Sequence, residues 1–210
     1  MKSKLEKFDL INKTVFLRAD LNVPIVKEGV GEDIDRKILS DYKIQALRPT
    51  LDLILKKQGR IVLATHLARP EKEKAAYSTE IIFKYLKNLG YKISFEKSID
   101  KNLISNALKT SQIVLLENLR FWPEEKANNI EFAQKLKELA EYYVNDAFGV
   151  LHRSDTSITL LPSLYESNKK TIGLLIEKEL FELSKIKDNP ARPLTLILGG
   201  GKVKDKLVLI

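Results

Sequence analysis

The chain has 210 residues, a formal net charge of +8, 44% hydrophobic and 30% charged residues, two histidines and no cysteine. That length supports one or two domains with an ample core, and the counts exclude disulfides, thiolate metal sites, cysteine nucleophiles and a histidine-rich metal centre. The positive balance suits anionic partners, but the basic runs interleaved with aromatics that a single-strand binder uses are absent from the sequence, so no nucleic-acid partner is expected.

The amino-terminal MKSKLEKFDLINK is charged and lacks an apolar run, so neither a secretory signal nor an anchor is expected there. No window approaches the roughly 18 apolar residues of a membrane span, and the expected setting is the cytoplasm, with no membrane partner. Residues 14–22 (TVFLRADLN) form a β-rich run ending in Asp20 and Asn22. The polar stretch 24–39, with Gly29 and Gly31, reads as an extended loop or hairpin. Asp41 precedes an amphipathic helix to about Lys57, with Ile44, Leu47, Leu51, Ile54 and Leu55 at helical spacing, and Pro49 predicts a kink or a broken start.

Residues 61–70 (IVLATHLARP) are a buried-strand run whose end carries His66 and Arg69. Ser78 or Thr79 caps a helix through Leu89, stopped by Gly90, and 91–95 reads as an edge strand. Asp100 caps a short helix to Leu108, and the run 113–120 (IVLLENLR) ends in Arg120. A helix is expected from about Ile130 to Ala140, then a strand at Tyr142-Tyr143-Val144, then an irregular stretch from Asn145 to about Leu160 that carries His152 and Arg153. Gly173 to Ile176 is a short apolar segment, Glu177 to Ile186 a charged helix, and Asp188-Asn189-Pro190 with Pro193 has linker chemistry. LTLIL (194–198) then opens a new strand followed by Gly199-Gly200-Gly201-Lys202.

Strands alternating with helices predict an α/β fold with a doubly wound, mostly parallel sheet, a Rossmann-like three-layer arrangement, followed by the start of a second α/β domain. The expected divisions are 1–176, an interdomain helix and hinge at 177–192, and a truncated beginning at 193–210. Ligands of such sheets bind beyond the carboxyl ends of the strands, so His66, Arg69, Arg120 and Arg153 would meet in one crevice suited to an anion. Singly, each has an ordinary structural explanation: an arginine as a surface ion-pair partner, a histidine as a hydrogen-bonded core residue, Asp20 as a turn residue. Their shared placement at strand ends is what argues for a site. The glycine run could be a flexible turn, and it is not a GxxxxGK[ST] phosphate loop, because Val203 follows the lysine.

The segments VFLRADLNVP (15–24), THLARP (65–70), LLENLRF (115–121), VNDAFGVLHR (144–153), GLLIEKEL (173–180) and ILGGGKVKDK (197–206) together resemble phosphoglycerate kinase in the family's order and approximate spacing. The resemblance implies reversible phosphoryl transfer between 1,3-bisphosphoglycerate and ADP, giving 3-phosphoglycerate and ATP with Mg, by a monomer. It implies that Asp20, Leu21 and Asn22 hold the glycerate hydroxyl and neighbouring oxygens, and that His66, Leu67, Ala68, Arg69, Arg120 and Arg153 grip the 3-phosphate and carboxylate. It further implies that Gly200, Gly201, Lys202 and Lys206 contact the nucleotide or the moving phosphoryl group, the two lysines being catalytic together with Lys43.

Four positions depart from the family pattern, of which Gly201, in place of a small residue such as alanine or serine, carries little meaning. Lys43 stands where the family has an arginine on the transferring group, which predicts impaired transfer with binding retained; Arg36, expected in a nearby loop, offers a compensating charge. Ala68 replaces a glycine and must adopt a backbone conformation that alanine tolerates. Asp155 replaces a second histidine and is expected to place negative charge close to Arg153. The matched segments cover only the family's first domain, interdomain helix and opening of the nucleotide domain, so this chain alone is expected to bind 3-phosphoglycerate weakly and turn over negligibly. A non-catalytic anion-binding module is the alternative.

Overall fold

The computed structural model describes residues 3–28, 35–68, 70, 74–188, 190–195 and 197. The chain divides into two compact units, Met1–Lys178 and Glu179–Ile210.

The first unit is built on six parallel strands: β1 (Thr14–Ala19), β4 (Arg60–Ala64), β5 (Ile93–Glu96), β6 (Ile113–Leu116), β7 (Tyr142–Asp146) and β8 (Lys170–Ile172), in the spatial order β5-β6-β4-β1-β7-β8. A separate antiparallel hairpin is formed by β2 (Ile25–Glu28) and β3 (Asp35–Ile38). The helices are α1 (Tyr42–Lys56), α2 (Glu80–Asn88), α3 (Lys101–Thr110), α4 (Pro123–Lys126), α5 (Ile130–Lys137), α6 (Leu160–Ser163) and α7 (Leu174–Asp188).

Successive side chains of a strand point to opposite faces, and the continuous apolar runs follow from burial of both. Val15 and Leu17 of β1, Ile61 and Leu63 of β4, and Ile113 and Leu115 of β6 pack on one face against Ile44, Leu47, Leu51 and Ile54 of α1 and Ile82 and Leu86 of α2. Phe16, Val62, Val114 and Leu116 pack on the other against Ile104 and Leu108 of α3, Phe132 and Leu136 of α5, and Leu161 of α6. The result is the expected three-layer α/β arrangement. The order reverses around β1: β4 pairs on one side and β7, much later in the chain, on the other. The carboxyl end of β1 is therefore a topological switch point, where such sheets open a crevice.

Several local expectations change. Pro49 neither breaks nor delays α1, which runs from Tyr42 to Lys56 through it; the four buried aliphatic side chains on that helix offset the one backbone bond a proline removes. Arg36 lies on β3 rather than in a loop. Asp41 makes no capping bond to α1, and its carboxylate accepts instead from Gln45 and the Tyr85 hydroxyl. The helix expected at 130–140 ends at Lys137, and the turn at 121–123 starts the short α4. The apolar segment before Glu177 is the first turn of α7. Strand β8 had no signal because Lys170 and Thr171 break the apolar pattern on a half-buried edge. In the second unit, α7 continues to Asp188 with a Lys185–Glu182 ion pair at 2.9 Å on its surface. The strand expected at 194–198 has residues 196 and 198 outside the described residues.

Candidate anion-binding site

Short cross-links hold the strand ends together. The N–H of Leu21, just past β1, donates to Thr65 Oγ1 at 2.9 Å, and the Thr65 carbonyl accepts from Leu119 N–H beyond β6. Asn118 accepts from Leu67 N–H at 3.2 Å and from Arg120 N–H at 3.1 Å, and its amide donates to the carbonyls of Leu67 and Tyr77. One buried side chain thus fixes both the His66–Ala68 turn and the backbone that carries Arg120.

Asn22 Oδ1 accepts from Ala68 N–H at 2.8 Å, and the Arg120 guanidinium donates to the Ala68 carbonyl. Ala68 has a φ of +53°, the left-handed region where an L-residue is strained; bonds to both of its peptide groups hold it there. This is the conformation that a glycine would adopt without penalty.

Asp20 sits beside this turn. Its Oδ1 accepts from Asn22 N–H at 3.2 Å and its Oδ2 from Lys43 Nζ at 2.7 Å. Gly149, past the end of β7, passes so close that a Cβ there would stand 2.7 Å from Asp20 Oδ2. The position requires a glycine for the carboxylate to keep its orientation.

His66 is 2% exposed. Burial, then the charges of Arg18, Arg120, Arg153 and Lys43, push its pKa down from 6.5 to about 2. Those four cations, from the end of β1, the turns after β6 and β7 and the start of α1, thus lie near enough to act on one imidazole. Arg18 Nη2 lies 3.4 Å from Nδ1, and a guanidinium can only donate, so Nδ1 accepts and the proton sits on Nε2. His66 is therefore neutral, and what it offers an anion is a hydrogen bond, not a charge.

Arg18 was not singled out in the sequence. It lies inside the apolar run of β1, on the Phe16 face, and is fully buried. Nε donates to Ser157 Oγ at 2.7 Å, Nη1 to the Ala19 carbonyl, and Nη2 is 3.9 Å from Glu125 Oε1. Glu125, also fully buried, accepts from Ser157 Oγ at 2.5 Å and Ser157 N–H at 3.0 Å. Burial raises the Glu125 pKa more than the arginine and the serine lower it. The Arg18–Glu125–Ser157 cluster anchors a cation behind His66.

Arg153 is half-buried, and its Nε has no hydrogen-bond acceptor among the described residues. Asp155 is buried, yet no ion pair joins it to Arg153 among the described residues; its charge acts on Glu125, and its carbonyl accepts from Ile158 and Thr159 N–H to start the next turn. The expected weakening of Arg153 by this carboxylate is thus not seen as a contact. Arg69, Gly200, Gly201, Lys202 and Lys206 lie outside the described residues.

The described residues contain no group of three His, Asp or Glu side chains able to hold a metal ion. No helix among them is long and apolar enough to cross a membrane.

The fold and the site define a parallel α/β protein that gathers cations from several strand ends around the crevice at a topological switch point. Comparison with known proteins narrows this. The family model for phosphoglycerate kinase matches residues 5–210. Among curated relatives, the phosphoglycerate kinase of Bdellovibrio bacteriovorus is 39% identical over 97% of this chain and 49% of its own length, and that of Acidobacterium capsulatum 37% identical over 100% and 52%. The crystal structure of phosphoglycerate kinase from Pyrococcus horikoshii superposes with a TM-score of 0.78 at 31% identity, covering 97% of this chain and 50% of that one. The chain belongs to the phosphoglycerate kinase family, and it spans about half the length of the curated relatives it matches.

Proposed function

We propose that this chain carries the phosphoglycerate-gripping half of a phosphoglycerate kinase, acting in the reversible transfer of a phosphoryl group between 1,3-bisphosphoglycerate and ADP. The observation that carries the reading is the meeting at one place of Arg18 with His66 at 3.4 Å, Arg120 with the Ala68 carbonyl and Lys43 with Asp20 at 2.7 Å, with Arg153 near enough to act on the same imidazole. A phosphoryl group in transfer spreads negative charge over its oxygens, so the protein's work is positioning and fixed positive charge. The attacking oxygen is anionic in either direction, which accounts for a site rich in cations and without a free general base.

In this reading Asp20 and Asn22 orient the glycerate hydroxyl and its neighbours, while Arg120 and Arg153, with Arg69, hold phosphate and carboxylate oxygens. His66 donates from Nε2. Lys43 supplies charge at the end of the crevice nearest the transfer, as a point cation rather than a two-pronged fork. The described residues do not themselves form a cage for Mg, and its place would be with ADP or ATP against Gly200, Gly201, Lys202, Lys206 and whatever completes the nucleotide site. A cytoplasmic monomer is the setting proposed.

The test is calorimetric titration of the 210-residue chain with 3-phosphoglycerate, beside Arg120→Gln and Arg153→Gln. Each variant is expected to bind roughly ten-fold more weakly, the loss of a charge-assisted hydrogen bond. Equal binding by all three proteins, or none by the parent chain at millimolar ligand, would remove the reading. A coupled assay of the same chain with ATP is expected to give negligible turnover.

A further inference from the structure

We infer that the Asp20–Lys43 pair is a masking device that sets specificity: Asp20 withholds Lys43 from anions unless the ligand also brings a hydroxyl to take the lysine's place on the carboxylate. The inference rests on the proposed function and adds to it a reason why the crevice should prefer a hydroxylated organic anion over a bare one.

The two partners are unequally free. Asp20 is fixed: Oδ1 is held by Asn22 N–H at 3.2 Å, and on the Gly149 side a Cβ would stand 2.7 Å from Oδ2, so the carboxylate cannot swing that way past a larger residue. Its side chain is 9% exposed. Lys43, on the first turn of α1, is 40% exposed on a long flexible stem, and Asp20 is its only hydrogen-bonding partner among the described residues, at 2.7 Å. When the pair opens, it is the lysine that moves.

Consider two anions entering the crevice. One with no proton to donate, such as sulfate, either shares the Lys43 ammonium with Asp20 and takes the repulsion of that carboxylate, or draws the lysine away and leaves a largely buried carboxylate oxygen unpaired beside the incoming negative charge. Either cost acts against the wrong ligand. A glycerate-type anion carries a hydroxyl. Donated to Asp20 Oδ2, it satisfies the carboxylate and releases Lys43 toward the ligand's own charged oxygens. The Asp20–Lys43 ion pair is exchanged for a hydroxyl hydrogen bond to Asp20 and a new ion pair between Lys43 and the ligand, so no buried polar group is left unpaired. An arginine at position 43 could keep one nitrogen on Asp20 while offering another, farther from the carboxylate, to the ligand; a lysine must serve both from the three N–H donors of one nitrogen, which brings the ligand's charge close to the carboxylate.

The experiment is a double-mutant cycle read by sulfate and by 3-phosphoglycerate, at neutral pH and fixed ionic strength. The 210-residue chain is compared with Asp20→Asn, Lys43→Met and the double variant. Asp20→Asn is expected to tighten sulfate about five-fold, the upper range for freeing a half-exposed pair, and to do so less than two-fold in the Lys43→Met background. The same substitution is expected to weaken 3-phosphoglycerate. An equal gain in both backgrounds would mean that a general change of charge, not masking, is at work, and it would overturn the inference. So would no gain, or sulfate bound by none of the four proteins. Asp20→Ser repeats the removal of charge should the asparagine disturb folding. Failure of 3-phosphoglycerate to bind would count against the proposed function alone, because the sulfate cycle still reports on the pair.

Discussion

β4 and β7 flank β1, and each ends on a buried ionisable group that its surroundings treat in opposite ways. Beyond β4, His66 is buried near cations and held neutral, its pKa pushed down to about 2. At the end of β7, Asp146 accepts from Thr50 Oγ1 at 2.6 Å and from Ile176 N–H at 3.0 Å, and burial raises its pKa from 3.8 to about 6. Thr50 in turn accepts from Leu174 N–H at 3.0 Å. The first cluster gathers one sign of charge and leaves Arg153 Nε without an acceptor among the described residues; the second is a closed cap on the first turn of α7. Charges left over invite a ligand, whereas charges used up hold the fold.

The largest expected effect breaks the cationic side from behind. Arg18→Met leaves Glu125 buried without its cation, and a loss of about 3–5 kcal/mol is expected in urea unfolding. A loss below about 1 kcal/mol would mean that the pair at 3.9 Å is dispensable. On the closed side, Gly173→Ala puts a Cβ 2.3 Å from Asp146 Cγ. The Asp146 carboxylate is held in place by Thr50 and Ile176, so about 1–3 kcal/mol should be lost, and thermal unfolding will read it.

Acid sharpens the contrast through its sign. The folded value of His66, about 2, lies below its ordinary 6.5, so the unfolded chain takes the proton first. Stability is kept above pH 6.5 and lost below it, at about 1.4 kcal/mol per pH unit. The folded value of Asp146, about 6, lies above its ordinary 3.8, so the folded chain takes the proton first, and this group adds stability as the pH falls from 6 toward 3.8. The two contributions oppose each other in that window. Relative to the parent, His66→Gln should gain stability between pH 7 and 5 and Asp146→Asn should lose it; urea midpoints moving in the same direction would contradict the assignment. The smallest effect is at the strained turn, where Ala68→Gly should stabilise by about 1 kcal/mol by relieving φ +53°, and an unchanged midpoint would count against strain.

The layers were legible because each strand is buried on both faces and its apolar run is continuous, as at 61–64 and 113–116. His66 was legible from the same runs, since a polar residue just past a buried strand has only the sheet's end to occupy, whereas Arg120 and Arg153 sit on the turns that follow β6 and β7. Arg18 was hidden by the opposite circumstance. It interrupts an apolar run from within, and its partner Ser157 lies 139 residues away, so no local spacing announces it; an arginine inside an otherwise fully buried strand was the available signal. The start of α7 was missed for a related reason. Its cap comes from Thr50 and Asp146, on other elements, and the local letters Gly173-Leu174-Leu175-Ile176 carry no capping residue of their own.

The claim that strand ends separated in sequence build one anion crevice is tested most directly by mapping backbone amide shifts of the 210-residue chain as 3-phosphoglycerate is added. The account predicts saturable shifts shared by Asn22, Ala68, Arg120, Gly149 and Arg153, following a single binding curve. Shifts confined to one of these segments, or collected around β8 and away from His66, would contradict it.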